Sequence, residues 1–337
     1  MADPTPVSVV VTLFNKAGFI ARALRSVLEQ TVGPLEIIVV DDGSTDGGGE
    51  IVQKMGDSRI RLVRQENRGV NTARNRGVAE ARGNLVAFLD ADDAWRPRFL
   101  EVIRSLAEKF PQAGIYGTAR TAYRSYGVLE DYSSPILPSG QKEGLVANYL
   151  EAAPYFPFHI SGVAVPKQVL ETIGGFPDGE HLAGDVDTIL RIALRYPMAW
   201  SAEPLLIYYR DDPDRLCGPK RRPMWTEPRI SRTAREALAS GRLSPEQARQ
   251  LKEYVAIIQL NAAMDCLRTG EREVAERLIG YAQDTRRYRR LKGKLALLKL
   301  LSALPRPFWA GYEKIKAMER VLRLKLEIFF RWWRPPP

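Results

Sequence analysis

Three aspartates, Asp90, Asp92 and Asp93, stand together directly after the apolar run Leu85–Leu89. The run is short and contains no Gly or Pro, so it predicts a buried strand. Carboxylates so close together repel one another unless water, hydrogen bonds or a cation offset the charge. A hard divalent cation suits them, because Mg²⁺ takes one or two carboxylates together with substrate phosphates. A purely structural alternative is that Asp93 caps the helix that follows Pro97.

Polar side chains also follow two other predicted strands. Val7–Leu13 is a β-branched run that contains Thr12 near its end, and Leu35–Val40 runs into Asp42. Strand-like runs alternate with helical spacing as far as residue 110, which predicts an α/β fold with a mostly parallel sheet and right-handed crossovers. Ligands bind at the carboxyl ends of the strands in such a sheet. We therefore expect one ligand at this edge to contact Thr12, the pair Asp41 and Asp42, and the pair Asp90 and Asp92.

Composition narrows the class of protein. The chain has 337 residues, 45% of them hydrophobic, enough for one large domain with an extension or for two domains. Its two cysteines, Cys217 and Cys266, lack the spacing of a zinc site or a disulfide framework and fit a reducing cytosol. The N-terminus has no basic stretch typical of a signal peptide, and no run approaches about 18 apolar residues, so we expect no membrane-spanning helix. The glycine-rich patterns GxGxxG and GxxxxGK[ST] do not occur.

Two stretches resemble the donor half of family 2 glycosyltransferases. They are VSVVVTLFNKAGFIARALRSVLEQTVGPLEIIVVDDGSTDG and ENRGVNTARNRGVAEARGNLVAFLDADDAW. The likeness is dense over residues 5–110 and continues more weakly to about residue 210. It implies the GT-A fold, a Rossmann-like central sheet with helices on both faces. It also implies a nucleotide-diphosphate sugar as substrate, with a UDP-sugar expected, and Mn²⁺ or Mg²⁺ as cofactor.

The resemblance implies a role for several of these residues. Thr12 and Asp42 match positions that contact the base and ribose of the nucleotide, and Arg74 matches a position beside the nucleotide. Asp90 and Asp92 match the DxD pair, with Asp90 toward the ribose and Asp92 on the metal, and we expect Asp93 to be structural. For Arg74 the alternative is an ion pair on a helix surface.

A second segment, residues 174–191, is similar to the GGF…ED…DLxLR segment of the same family. Asp185 matches the catalytic base, whereas Gly184 stands where the family pattern has Glu. A position near a helix N-terminus is expected to keep Asp185 ionised, as a base must be. The structural alternative is that Asp185, or equally Asp187, caps a helix over residues 186–196.

The sequence leaves the remaining metal ligands open. His159 and His181 are isolated, which is more typical of loop or core residues than of ligands. Family members often carry a His shortly after a Tyr-Arg pair, but Tyr209-Arg210 is followed by aspartates. A third ligand is therefore either water or a residue from elsewhere. The segment at 153–159, APYFPFH, is either an acceptor-facing loop or packed irregular chain.

The last third of the chain differs in charge. Residues 1–218 hold 23 basic and 28 acidic residues, whereas residues 219–337 hold 27 and 12. We predict a catalytic domain at 1–218 with donor and acceptor halves that meet near residue 110. A helical hairpin at 219–285 follows, opened by a capping box at Ser244–Gln247. A basic amphipathic tail at 286–337 completes the chain.

The tail combines 15 basic and 3 acidic residues over 286–334 with Leu, Trp and Phe. This pattern suits an anionic membrane surface, so we expect a cytoplasmic protein that lies on the inner face of the cell membrane. A helical appendage packed on the catalytic domain and a nucleic-acid-binding segment are the alternatives.

These observations predict an inverting, metal-dependent glycosyltransferase that acts on a glycan or lipid-linked acceptor, in cell-surface polysaccharide synthesis. The alternative from another class is a catalytically silent nucleotide-binding or membrane-docking protein of the same fold. A nucleotidyltransferase is disfavoured, because its glycine-rich loop and Lys are not seen near the first strand.

Overall fold

A computed structural model describes residues 5–123, 129–132, 136–153, 157–180, 183–209, 229–269 and 271–281. The described residues up to Tyr254 belong to one compact unit, and those from Val255 onward belong to a second. The predicted boundaries at residues 218 and 285, and the whole basic tail, lie outside the described residues. That division of the chain therefore stays a prediction.

The first half of the sheet is parallel and follows the predicted alternation. Its strands lie in the order β3-β2-β1-β4, and a helix follows each of the first three along the chain. Each strand begins and ends within about a residue of its predicted bounds. The elements are β1 (Val7–Leu13), α1 (Ala17–Leu28), β2 (Glu36–Asp41), α2 (Gly48–Lys54), β3 (Ile60–Arg64), α3 (Val70–Glu80) and β4 (Leu85–Asp90).

The second half of the sheet mixes strand directions. β9 lies antiparallel between β4 and β6, and β10 lies parallel to β6. The sheet then ends at the short β5, in the order β4-β9-β6-β10-β5. The elements are β5 (Ala94–Trp95), α4 (Phe99–Lys109), β6 (Ile115–Tyr123), β7 (Leu129–Tyr132), β8 (Glu143–Leu145), α5 (Tyr149–Ala152), β9 (Val163–Pro166), α6 (Lys167–Ile173), α7 (Gly184–Ala193) and β10 (Met198–Tyr209).

The C-terminal region that the structure describes is helical. It contains α8 (Arg229–Ala239), α9 (Pro245–Thr269) and α10 (Arg272–Tyr281). The predicted capping box is confirmed: the Ser244 N–H donates to Gln247 Oε1 at 3.0 Å, and the Gln247 N–H donates to Ser244 Oγ at 3.2 Å. In the described part of the chain, no helix combines the length and the apolar character needed to cross a bilayer.

Side chains along β1 point alternately to the two faces of the sheet, and this packing holds the strand whose end belongs to the polar edge. Val9 and Val11 point to one face, where they join a core that includes Leu24 of α1 and Ile103 of α4. Each such buried side chain contributes on the order of 1.5–3 kcal/mol. Helices packed on both faces therefore hold the strands in place, and the polar side chains lie at the strand ends.

Helix α3 packs on the opposite face of β1 with no space to spare. A Cβ atom at Gly77 would lie 2.3 Å from Cγ1 of Val10, well inside van der Waals contact. Only glycine lets the helix backbone approach the strand this closely. The close approach brings the first turns of α3 over the ends of β1 and β4.

The interpretation of Asp93 as a helix cap is wrong. Helix α4 begins at Phe99, and its N-cap residue Arg98 makes no side-chain capping bond. The strand β5 lies between Asp93 and that helix and pairs with β10. Asp93 Oδ1 instead accepts a hydrogen bond from the Tyr209 N–H at 3.2 Å, so the carboxylate ties the loop after β4 to the end of β10.

Candidate functional site

Three of the predicted site residues converge at the carboxyl edge of the parallel strands. Thr12 of β1 lies directly beside Asp90 of β4 in the strand register. Asp42 follows the last residue of β2, and its N–H donates to the Leu13 carbonyl at 2.8 Å. The structure therefore brings Thr12, Asp42 and Asp90 to one edge, as expected for a ligand site in such a sheet.

Asp90 is held by two hydrogen-bond donors from different elements. Thr12 Oγ1 donates to Asp90 Oδ1 at 3.0 Å, and Arg74 Nη2 donates to the same oxygen at 2.9 Å. Burial by itself would raise the pKa of Asp90, but the Arg74 guanidinium, the nearby His159 and these hydrogen bonds outweigh it and lower the pKa. Asp90 is therefore an anion at neutral pH.

Arg74 is a buried residue rather than a surface one. It projects from α3, is 5% exposed, and its guanidinium lies 5.6 Å from the ring centre of Phe176. Its ion pair with Asp90 joins α3 to β4 rather than two positions of one helix. The alternative of a helix-surface ion pair is therefore wrong, because α3 turns this face toward the strand ends.

Asp42 organises the loop that precedes α3. Its carboxylate accepts hydrogen bonds from Gln65 Nε2 at 2.7 Å, the Arg68 N–H at 2.9 Å and the Gly69 N–H at 2.9 Å. A carboxylate has about four acceptor sites, so these three donors leave it able to accept one more from a ligand. Contact with a nucleotide base stays a prediction for this residue.

The loop after β4 is fastened to helix α1 and to the end of β10. Arg22 Nη2 donates to the Asp92 carbonyl at 2.6 Å, and the Arg22 guanidinium stacks 3.5 Å from the ring centre of Tyr209. The Lys16 ammonium lies 3.7 Å from the Asp92 carboxylate, which is largely buried. The contacts of Lys16 and Arg22 were not anticipated from the sequence, although Lys16 lies on the turn after β1 and Arg22 lies on α1.

The carboxylates of this edge fit a hard cation only in part. Among the described residues, no three carboxylate, imidazole or thiolate side chains are grouped as metal ligands. A divalent cation here would need Asp92, with Asp90 close by, plus water or substrate phosphates, which is how Mg²⁺ is usually bound. The oxygen ligands suit that arrangement, whereas the positive charge of Lys16, 3.7 Å from the Asp92 carboxylate, opposes a second cation there and would need substrate phosphates to offset it.

His159 has structural partners of its own. Its Nδ1 accepts the Ser161 N–H at 3.2 Å, and its ring contacts Tyr208 at 4.5 Å between centres. Ser161 in turn accepts the Asp90 N–H through Oγ at 3.2 Å. His159 therefore supports the strand ends from the acceptor half. The other histidine, at position 181, lies outside the described residues, as does part of the segment at 153–159.

Asp185 lies in the first turn of α7 and is half-buried. Burial is the largest influence on its pKa and raises it, and the Asp90 carboxylate acts in the same direction. Arg74 and the N–H groups of Val186 and Asp185 oppose the rise without cancelling it. The pKa stays raised because burial outweighs the local N–H groups, and the expectation that Asp185 is ionised at neutral pH stays a prediction.

Neither aspartate of α7 caps the helix. The helix begins at Gly184, and the N-cap residue is Ala183, at φ 57°, with no side-chain capping bond. Asp187 is fully buried; it accepts Arg191 Nε at 2.8 Å and Thr233 Oγ1 at 2.5 Å. Asp187 is therefore a structural ion-pair residue, and Asp185 is the carboxylate that interacts electrostatically with Arg74 and Asp90.

Two tyrosine hydroxyls near Asp185 were not anticipated from the sequence. Tyr149 of α5 and Tyr254 of α9 are buried, and their hydroxyl oxygens lie 3.3 Å apart. Burial raises the pKa of both groups, and the charge of Asp185 contributes to the rise. Both hydroxyls therefore stay protonated, and one donates a hydrogen bond to the other. No motif marks either residue, because they come together from positions 105 residues apart.

Comparison with solved structures supports the fold. S. aureus TarS 1-349 in complex with UDP-GlcNAc superposes with a TM-score of 0.65 and 17% identity, over 88% of this chain and 90% of that one. The mannosyltransferase PcManGT from Pyrobaculum calidifontis, in complex with GDP-Man and Mn²⁺, superposes with a TM-score of 0.53 and 22% identity, over 89% and 86%. The predicted GT-A fold is thereby confirmed.

Sequence comparison relates the first half of the chain to one protein family. The family model for glycosyl transferase family 2 matches residues 8–160. An uncharacterized glycosyltransferase of Nostoc sp. is 34% identical over 50% of this chain and 52% of its own length. The succinoglycan biosynthesis protein ExoO of Rhizobium meliloti is 40% identical over 33% and 32%. The matches thus span about half of the first relative's length and about a third of the second's. Residues 8–160, somewhat under half of this chain, are thus similar to glycosyl transferase family 2.

Proposed function

We propose that the protein is an inverting, metal-dependent glycosyltransferase. It moves a sugar from a nucleoside-diphosphate sugar to a hydroxyl of a glycan or lipid-linked acceptor. The observation that carries the proposal is the position of Arg74, which is hydrogen-bonded to Asp90 at the strand edge and whose charge opposes the rise in the pKa of Asp185 on α7. The Arg74 guanidinium thus connects the proposed nucleotide site with the proposed base.

The nucleotide sugar is assigned to the strand edge. Thr12, Asp42, Arg74 and Asp90 supply hydroxyl, carboxylate and guanidinium groups at the ends of β1, β2 and β4. We take a UDP-sugar as the expected substrate, since TarS was solved with UDP-GlcNAc, although PcManGT was solved with GDP-Man. The name of ExoO supports a role in polysaccharide synthesis.

The proposed metal residue is Asp92. A bound Mn²⁺ or Mg²⁺ would supply a positive charge that neutralises the departing diphosphate. Asp92 is suited to this task because the Arg22 hydrogen bond to its carbonyl fixes the loop that carries it. Lys16, 3.7 Å from the Asp92 carboxylate, adds a second positive charge on the same side.

Asp185 is the proposed general base. Its carboxylate takes the proton of the acceptor hydroxyl while that oxygen attacks the anomeric carbon from the face opposite the diphosphate. The bond from that carbon to the diphosphate oxygen breaks, the configuration inverts, and no covalent intermediate forms. A raised pKa strengthens the base as long as the working pH keeps it ionised. The Arg74 charge favours that ionised form.

A thermal-shift screen of nucleoside-diphosphate sugars with Mn²⁺ or Mg²⁺ tests the nucleotide site. A ligand at about 100 times its Kd stabilises the folded state by about 2.7 kcal/mol. We therefore expect one class of nucleotide to raise the melting temperature by several degrees, and its matching monophosphate to raise it less. Incubation of the best ligand with candidate acceptors then tests transfer. Binding without any turnover would favour the catalytically silent alternative, and absence of any shift would contradict the site itself.

We also propose that the basic tail docks on anionic membrane from the cytoplasmic side. Support comes from its composition, with an excess of 12 positive charges over residues 286–334 interleaved with aromatic residues. Each Lys or Arg near an anionic surface contributes about 1 kcal/mol, and salt screens the attraction.

Vesicle sedimentation of the full chain tests the tail. We expect pelleting with phosphatidylserine-containing vesicles that weakens at high salt. A variant with Ala at Arg286, Arg287, Arg289 and Arg290 should pellet much less. Vesicles of neutral lipid serve as the control. Equal sedimentation with both lipids, or with both proteins, would contradict membrane docking by these charges.

A further inference from the structure

Gly184 and Asn71 share one space at the start of α7. A Cβ atom at Gly184 would lie 2.1 Å from Asn71 Nδ2, 2.8 Å from Cγ and 2.9 Å from Oδ1. Gly184 is the first helical residue and has no left-handed backbone, so conformation alone does not require glycine there. The Asn71 side chain, 3% exposed, is what excludes a larger residue at position 184.

Asn71 also makes polar contacts on both sides. Its Nδ2 donates to the Glu180 carbonyl at 2.7 Å, in the segment that leads into α7. Its Oδ1 accepts Arg74 Nη1 at 3.3 Å, and Arg74 Nη2 binds Asp90. One side chain thus contacts the segment before the base, the residue next to the base, and the arginine at the nucleotide edge.

A second asparagine on the same helix strengthens this connection. Asn75 Nδ2 donates to the Phe176 carbonyl at 2.9 Å, and Asn75 Oδ1 accepts the Phe176 N–H at 2.8 Å. The two asparagines stand one helical turn apart and face the same segment. Asn75 holds the segment at Phe176, and Asn71 holds it at Glu180, shortly before α7 begins.

We infer that Asn71 is a positioning residue that sets the distance between Asp185 and Arg74 by filling the space beside Gly184. The inference rests on the proposed role of Asp185 as the base. Asp185 directly follows Gly184, so a shift of the Gly184 backbone moves the carboxylate. A misplacement of about 1 Å can reduce a rate by about a hundredfold.

A double-mutant cycle of Asn71→Ala and Gly184→Ala tests the inference, with kcat, the nucleotide-sugar KM and the melting temperature measured for each protein. Asn71→Ala is expected to lower kcat about tenfold and to change KM less than about twofold, because the base becomes less well positioned while the bonds from Arg74 and Thr12 to Asp90 remain. Gly184→Ala is expected to lower kcat about a hundredfold and to lower the melting temperature. In the double variant the methyl group added by Gly184→Ala fills the space left by the Asn71 side chain. Adding Gly184→Ala to Asn71→Ala should therefore lower kcat by less than about threefold.

Gly18→Ala in α1 is the matched control. A Cβ atom at Gly18 meets no atom within 4 Å, and the substitution should leave kcat and KM unchanged. Additive effects of Asn71→Ala and Gly184→Ala would overturn the inference, as would a fall in melting temperature with unchanged kcat. A wild-type protein that binds nucleotide but transfers no sugar would overturn the proposed function and the positioning role with it. The melting temperatures of the cycle would still report whether the two residues share space.

Discussion

Asp185→Asn is expected to lower kcat about a thousandfold and to leave nucleotide binding within about twofold of the wild type. A positioned general base contributes about 10²–10⁴ to a rate, and an amide cannot take the proton of the acceptor hydroxyl. The strand-edge groups that bind the nucleotide are untouched by the change. Steady-state transfer assays and calorimetry with the nucleoside diphosphate measure the two quantities separately.

The stability of the same variant gives an independent check. Since burial raises the pKa of Asp185 in the folded protein, its ionised form opposes folding above the unfolded-state pKa. Asp185→Asn is therefore expected to raise the melting temperature slightly at neutral pH. Asp187→Asn is the comparison in the same helix. It leaves the largely buried Arg191 side chain without its carboxylate partner and should destabilise the fold by about 3–5 kcal/mol.

The pH dependence of kcat/KM follows from the same group. The rate should rise with pH as Asp185 loses its proton, and this rise should lie above the ordinary range of an aspartate, about pH 4. The residual activity of Asp185→Asn should not show this rise with pH. A variant that retains both the rate and the acid limb of the profile would show that another group takes the proton.

Asp92→Asn is expected to abolish the response of the protein to divalent cations. Loss of the charged ligand should remove the additional melting-temperature rise that Mn²⁺ gives in the presence of nucleoside diphosphate, and should reduce transfer about a hundredfold or more. The fold should persist, because the Arg22 contact to the Asp92 backbone carbonyl does not depend on the side chain. Thermal shift with and without Mn²⁺ measures the effect apart from catalysis.

Asp57→Asn is a suitable control for the metal experiment. Asp57 precedes β3 and pairs with Arg59, at the amino end of the strand rather than the carboxyl edge. It should leave the cation response intact. An Mn²⁺ response that survives in Asp92→Asn would transfer the metal role to another residue, and wild-type activity that withstands chelation would remove the metal from the mechanism.

The parallel half of the fold was predictable because its signals are local. β1, β2 and β4 are short runs made mostly of apolar residues, and parallel pairing sends their polar termini to one edge. β10 was missed because Glu203 and Pro204 interrupt it, where its register against β6 shifts. Its partners lie far away in sequence, so periodicity within the strand carried little information.

The residues of the site also divide into those that local sequence predicts and those that depend on distant contacts. Thr12, Asp42 and Asp90 follow from strand ends, whereas the Asn71–Glu180 bond joins residues 109 positions apart. The rise in the pKa of Asp185 could not be predicted from the sequence for a related reason. The helix terminus is visible in the sequence, but burial depends on what packs around the carboxylate.

The contact of Gly77 with Val10 has a thermodynamic consequence for ligand binding. Since α3 lies directly against β1, it cannot slide without compressing these atoms. Arg74, three residues earlier on that helix, therefore stays beside Asp90 and Thr12 before any nucleotide arrives. Ordering of these side chains was completed when the protein folded, so binding loses little further conformational entropy and keeps more of its contact energy as affinity.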